Sequence, residues 1–214
     1  MKNTLFLLSL ALMFSACNCG GSNSDKKSAD TSYRNDTNRI IPKAVVDTSG
    51  QGLLNLSEDI LNLLKTKNYQ QLSQYIHPVE GLRFSPYGYI DTLSGLKFTS
   101  SGFAALDTSK KLLWGHYDGS GAPIRLSLNK YFDKFVYDAD FINAPQKAAN
   151  GILGQGNSIN NLKEIYPGSY FTEFYFPGAD PRYGGMDWKS LRLVFKEAED
   201  KLYLVAIVHD QWTI

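Results

Sequence analysis

Three histidines are the side chains of this 214-residue chain best suited to acid–base chemistry near neutral pH. His77, His116 and His209 do not share the i, i+2 or i, i+4 spacing of metal ligands, and both cysteines lie near the N-terminus, so we expect no metal site. His209 precedes Asp210, a carboxylate that could orient a pocket base. A histidine that bonds across a sheet explains the same pair equally simply, and we favour that interpretation.

Asp138 is the third acid–base candidate beside His77 and His209, because it follows an expected helix. An isomerase, dehydratase or hydrolase would require two of these side chains to meet in one cavity. The simpler interpretations are a hydrogen bond to a loop carbonyl for His77 and a solvated helix end for Asp138. No phosphate-binding loop or nucleophile elbow occurs in the sequence, so no cofactor is expected and catalysis is not favoured.

Aromatic residues make up 13% of the chain and are the best candidates for binding a ligand. A non-catalytic module that holds a small molecule or a peptide is therefore the leading hypothesis. The unusual loop 180–188 combines aromatics, glycines and charges, which suits either a binding lid or a packed loop whose Trp188 fills the core. The candidate ligand-binding residues are Tyr87, Tyr89, Trp114, Tyr175, Arg182 and Trp188.

Helices and strands that would position these residues follow from the periodicity of apolar side chains. Helices are expected over residues 58–66, with Ser57 as the N-cap, and over 69–76, and a third follows Ser127. The segment 202–208 is apolar on both faces, which is typical of a central strand. Strands are predicted at 82–90, 111–117, 122–126, 158–165, 169–176, 191–195 and 202–209.

This order of elements indicates an α+β fold, with helices packed on a curved antiparallel sheet. The layout resembles the NTF2-like, or cystatin-like, cone, in which a helical pair packs on the sheet and a third helix closes a conical pocket. That resemblance implies functions that range from isomerases to dimerisation modules, so the fold alone does not give the activity. A structural or assembly protein of the cell envelope that forms a homodimer through its open sheet is a further alternative.

Several unusual runs occur together in one order between residues 55 and 214. They are His77-Pro78, Arg83–Tyr87, Trp114-Gly115 with Tyr117–Gly121, Gly185–Trp188 followed by Leu191–Phe195, and Ile207–Ile214. As a set they resemble an uncharacterised family of exported bacterial proteins. The resemblance carries no established activity.

The N-terminus resembles the signal of a bacterial lipoprotein. Lys2 precedes an apolar run from Leu5 to Phe14, which is too short to span a bilayer, and small residues precede Cys17. We expect a signal peptide at 1–16, an acylated Cys17 with a polar tether at 17–52, and one domain at 53–214. The expected location is the bacterial cell envelope. In a Gram-negative host, resemblance to proteobacterial sorting signals implies the outer membrane, because Asn18 and not Asp follows the cysteine. The net charge of +1 gives no basic patch for nucleic acid.

Overall fold

The computed structural model of the chain describes residues 45–156 and 159–213, all within one compact unit. Cys17, the predicted signal peptide and most of the predicted tether lie outside the described residues. The first helix includes residues 50–52, which the sequence analysis assigned to the tether. No helix among the described residues has the length and apolarity needed to cross a bilayer.

Helix α1 (Gly50–Lys65) begins earlier than the sequence pattern predicts. The side chain of Ser49 caps it, so the expected N-cap at Ser57 is wrong. Ser57 instead lies buried within the helix, where its hydroxyl donates to the carbonyl of Leu53 at 2.8 Å. The same hydroxyl lies 2.8 Å from the hydroxyl of Thr172, which ties α1 to the sheet.

The remaining helices are short, and one of them matches its prediction closely. The third predicted helix is confirmed, because it starts directly after Ser127 and buries its apolar face. The second predicted helix divides into an α-helical turn and a 3₁₀ turn over residues 73–75. These helices are α2 (Tyr69–Leu72), α3 (Ser100–Ala104), α4 (Leu128–Phe135) and α5 (Leu162–Ile165).

A mostly antiparallel six-stranded sheet with strand order β2-β1-β8-β7-β6-β5 forms the centre of the α+β fold, and β3 and β4 form a separate hairpin. The strands are β1 (Leu82–Ser85), β2 (Lys97–Phe98), β3 (Lys111–His116), β4 (Pro123–Ser127), β5 (Gln146–Ala149), β6 (Tyr170–Phe176), β7 (Lys189–Ala198) and β8 (Lys201–Gln211). The central position of β8 confirms what its apolar pattern predicts. The sheet is not wholly antiparallel, since β1 runs parallel to β8.

Between β4 and β6 one local prediction is wrong and one strand was not predicted. The expected strand at 158–165 contains helix α5, because Leu162, Ile165 and Tyr166 repeat at the helical spacing. Strand β5 was missed because Gln, Lys and Ala are weak strand formers. Its edge pairing with β6 and its contacts with α1, such as Lys147 to Glu58 at 3.0 Å, hold it in place.

Both faces of the sheet are covered, which explains the apolar character of β8 on either side. On one face, α1, α4 and the β3–β4 hairpin enclose the main core, which is rich in aromatic rings. On the other face, α5 packs over a smaller apolar cluster. Functional side chains at the end of β8 therefore emerge at two different faces.

Candidate ligand-binding cleft

A cleft of about 510 Å³ opens between the end of β1 and the β3–β4 hairpin, and we call it the aromatic cleft. Its volume lies in the range of small-molecule sites. Three of the predicted ligand-binding residues, Tyr87, Tyr89 and Trp114, line it together. The residues that line it are Phe84, Ser85, Pro86, Tyr87, Tyr89, Asp91, Ser94, Gly95, Trp114, Gly115, His116, Tyr117, Asp118 and Ile159.

Trp114 forms a rigid part of the cleft. Its ring is only 1% exposed and stacks on Tyr131, with ring centroids 3.9 Å apart. Its indole N–H donates to the carbonyl of Leu126 at 2.8 Å, which fixes the ring across the hairpin. Gly115 follows with φ of +125°, a conformation that favours glycine, where the pairing of β3 with β4 shifts register. The indole is therefore held in place before any ligand arrives.

The opposite wall is the segment 85–89, and hydrogen bonds within the segment hold its turn. The hydroxyl of Ser85 donates to the carbonyls of Tyr87 and Tyr89, at 2.8 and 3.0 Å. Burial raises the pKa of the Tyr87 phenol, against the opposing effect of the amide of Asp118, so this hydroxyl stays protonated. Tyr89 is less buried than Tyr87, because it lies at the rim of the cleft and is 53% exposed.

Two consecutive residues of β8 fasten this wall from opposite faces of the sheet. The Nδ1 atom of His209 lies 3.2 Å from the carbonyl oxygen of Pro86. The carboxylate of Asp210 accepts from the amide of Gly88 at 3.3 Å. Successive side chains on a strand point to opposite sides, so the His-Asp pair acts as two anchors and not as one dyad.

Asp138 meets His209 beneath the cleft, and its predicted place at a solvated helix end is wrong. Its side chain is 10% exposed, and Oδ1 lies 3.1 Å from Nε2 of His209 while Oδ2 lies 2.5 Å from Nζ of Lys189. Burial raises the pKa of Asp138, but hydrogen bonds and charge from His209 and Lys189 outweigh burial and hold the pKa below 3.8. The acid is therefore ionised at neutral pH.

Asp138 and His209 do not form a site that a substrate could reach. The ring of His209 is fully buried, and neither side chain lines a described cleft. Both ring nitrogens of His209 are in hydrogen-bond contact with protein groups, Nδ1 with the carbonyl of Pro86 and Nε2 with the carboxylate of Asp138. These contacts explain His209 as a structural residue.

His77, the remaining acid–base candidate, does not join the other two. Its amide bonds to the carbonyl of Leu204, and its Nδ1 accepts from the amides of Val79 and Glu80, at 3.2 and 3.0 Å. The imidazole thus caps a turn, as a helix N-cap side chain does. It accepts from loop amides, whereas the sequence analysis expected a bond to a loop carbonyl.

A buried charge network lies on the other face of the sheet. Arg192 lies 3.0 Å from the carboxylates of both Glu173 and Asp210, and all three are buried. It also donates to the carbonyl of Gly154 at 2.7 Å, while Glu173 accepts from the amides of Leu153 and Gly154. Burial raises the pKa of Asp210, although Arg192 opposes this effect. The network clamps residues 150–156, which we call the strap, onto the sheet.

The chain matches no protein-family model, no curated protein and no solved structure. Within residues 45–156 and 159–213, no group of three or more His, Cys, Asp or Glu side chains lies close enough together to hold a metal ion. The function must therefore be inferred from the clefts and their chemistry.

The other predicted ligand-binding residues lie outside the aromatic cleft. The rings of Tyr175 and Trp188 lie 6.0 Å apart, and a Cβ added to Gly154 or Gly156 would lie 2.9 Å from the Trp188 ring. Trp188 thus packs on the strap, and its burial agrees with a packed loop more than with a lid. Arg182 is 79% exposed on its side chain and pairs with Asp180 beside it.

Proposed function

We propose that the folded domain is a binding module that holds a ligand in the aromatic cleft. One observation carries this proposal: aromatic rings from β1, the segment after it and the β3–β4 hairpin converge on a single cleft of small-molecule size. Polar groups lie among the rings, including the carboxylates of Asp91 and Asp118. A few polar groups in an apolar cleft are what fixes the orientation of a bound ligand.

The contacts of the acid–base candidates support binding over catalysis. His209 fastens the cleft wall through Pro86, and its other nitrogen is taken by Asp138. Mutation of His209 should therefore weaken binding through the shape of the wall and not through a lost proton transfer.

The test is a screen of a fragment library by thermal shift and ligand-observed NMR, followed by two cleft variants. Tyr89→Ala and Tyr117→Ala should each lower the affinity of a cleft ligand by about tenfold. Tyr183→Ala is the matched control, since Tyr183 is also half-exposed but does not line the cleft. Binding that survives both cleft variants would refute the assignment of the cleft.

We further propose that the chain is an exported lipoprotein held at the bacterial cell envelope by acyl chains on Cys17. The support is the sequence alone: a short apolar run, small residues and a cysteine, followed by a polar segment. The test is metabolic labelling with a radioactive fatty acid. Label should enter the protein, disappear in Cys17→Ala and persist in the control Cys19→Ala. Label that persists in Cys17→Ala would refute the anchor.

We also propose that the domain is a divergent NTF2-like fold. The packing of α1 on the sheet and the position of α4 over the end of β8 support this, with the interior filled by aromatic rings. Superposition of an experimental backbone on NTF2-like proteins tests it. A different order of strands in those proteins would refute the assignment and leave the cleft unaffected.

A further inference from the structure

Charges around the aromatic cleft balance one another. Asp91 and Asp118 are the acids that line it, and no lysine or arginine does so. Two cations lie just behind the lining. The guanidinium of Arg83 donates to the carbonyls of Asp91 and Gly95, at 3.2 and 2.8 Å. The ammonium of Lys134 lies 4.6 Å from the centre of the Tyr117 ring. A ligand with a net charge would gain little from such a balanced site, so the cleft suits a neutral ligand.

Two carboxylates, those of Asp91 and Asp118, add strong hydrogen-bond acceptors to the phenol and serine hydroxyls that line the cleft. The Ser94 hydroxyl bonds to Asp91 and holds its pKa below 3.8, so that this carboxylate is ionised and only accepts. Asp118 accepts from the amide of Gly119 through Oδ1 at 3.0 Å. Asp118 is an exposed residue that lines the cleft, and its Oδ2 atom makes no hydrogen bond within the described part of the chain. A neutral ligand that hydrogen-bonds to these carboxylate oxygens must supply several hydroxyl or amide donors.

Aromatic rings supply the other half of the recognition. Tyr89 presents an exposed ring at the rim, and Tyr87 and Tyr117 are half-buried within the cleft. The face of an aromatic ring is electron-rich and attracts the weakly positive C–H groups of a ligand. A pyranose has one face of C–H groups and an edge of hydroxyl donors, and it has no charge. It therefore matches the rings, the acceptors and the charge balance at once.

We propose that the ligand of the aromatic cleft is a carbohydrate, bound by stacking of a pyranose on tyrosine rings and by hydroxyl donation to Asp118 and Asp91. This inference depends on the proposed binding function and narrows it to one chemical class. Asp118 is the residue expected to read the hydroxyls, because one of its oxygens is available. Tyr89 is the residue expected to stack, because its ring is exposed at the rim.

The experiment uses the full chain purified in detergent on an array of bacterial and plant oligosaccharides, with affinities then measured by calorimetry. At least one glycan should bind, and Tyr89→Ala and Asp118→Asn should each weaken that binding by about tenfold. Asp118→Asn keeps the acceptor for the Gly119 amide, so the fold should be preserved. Tyr183→Ala should leave the affinity unchanged.

Two probes without sugar separate failure of this inference from failure of the binding function. Benzyltrimethylammonium tests an organic cation, and the fragment library tests other small ligands. If no glycan binds, but a cation or a fragment binds and Tyr89→Ala weakens that binding, the ligand is not a carbohydrate. The assignment of the cleft as a binding site would then stand. Glycan binding that Tyr89→Ala and Asp118→Asn leave intact would also overturn the proposal. If neither glycans nor the other probes bind the cleft, both proposals fall.

Discussion

Replacement of Arg192 by methionine should be among the most damaging single changes in this protein. Arg192 is fully buried and lies 3.0 Å from each of two buried carboxylates, those of Glu173 and Asp210. Removing one partner of a buried ion pair costs about 3–5 kcal/mol, because the remaining charge is left without compensation. Domains of this kind are stable by only about 5–15 kcal/mol, so the variant should lose a large share of its stability.

The assay is equilibrium unfolding in urea, followed by tryptophan fluorescence. With a slope of about 2 kcal/mol per molar urea, the midpoint should fall by about 2 M. Arg125→Met is the matched control, since Arg125 is an exposed strand arginine, and its stability should change by less than about 0.5 kcal/mol. A triple variant that adds Glu173→Gln and Asp210→Asn removes the uncompensated charges and should recover part of the loss.

The pH dependence of the same variant provides a second test. The pKa of Asp210 is raised in the folded protein, so its protonated form contributes to stability. This contribution is fully present below pH 3.8 and is lost as the pH rises through the pKa that Asp210 has in the folded protein. Without Arg192 the folded pKa rises further. The deficit of Arg192→Met should therefore be smaller at about pH 5 than at about pH 8. A deficit equal to that of Arg125→Met, or one that does not shrink in acid, would refute this reasoning.

Three further predictions concern other buried contacts. Asp138→Asn should cost about 1–3 kcal/mol of stability at pH 7 and should make stability fall less steeply in acid. The reason is that the lowered pKa of Asp138 supplies stability above pH 3.8 that is lost as the pH falls. Urea midpoints between about pH 3 and pH 7 measure this, and an unchanged acid dependence would contradict it. Gly154→Ala should cost about 1–3 kcal/mol of stability and alter tryptophan fluorescence, because its Cβ would lie 2.9 Å from Trp188. Gly151→Ala is the control, since its Cβ would meet nothing nearer than 3.5 Å. Equal urea midpoints for the two variants would count against the packing argument. Ser57→Ala should cost about 1–3 kcal/mol by leaving Thr172 without its partner, and adding Thr172→Val should restore part of that loss in thermal unfolding; additive losses would show that the two hydroxyls do not interact.

Periodicity predicted the elements whose burial is regular along the chain. Helix α4 keeps one apolar stripe after Ser127, and β8 is apolar on both faces, so each gives a signal within its own residues. The start of α1 was missed because the residue that looks like its N-cap makes one of its contacts with a distant residue. Ser57 looks like an N-cap in sequence, but its hydroxyl is satisfied inside the helix and by a strand 115 residues away.

Contacts between distant residues account for what the sequence could not predict about the site. Asp138 and His209 are 71 residues apart, and nothing local shows that Lys189 completes their contact. One signal was available for the buried network, since Glu173 and Arg192 each interrupt a run of apolar strand residues. Their pairing depends on the register of β6 with β7, which places them directly opposite each other.

The order of the strands has a consequence for when the domain can fold. Strand β8, the last of the described strands along the chain, lies between β1 and β7 and supplies the two anchors of the cleft wall. Because the chain is synthesised from its N-terminus, β1 cannot join the sheet until β8 has been synthesised. Residues 85–89 cannot be fixed in place before that point either. Such long-range pairing folds slowly. If the chain is exported as proposed, this delay would let translocation begin while the sheet still lacks its central strand.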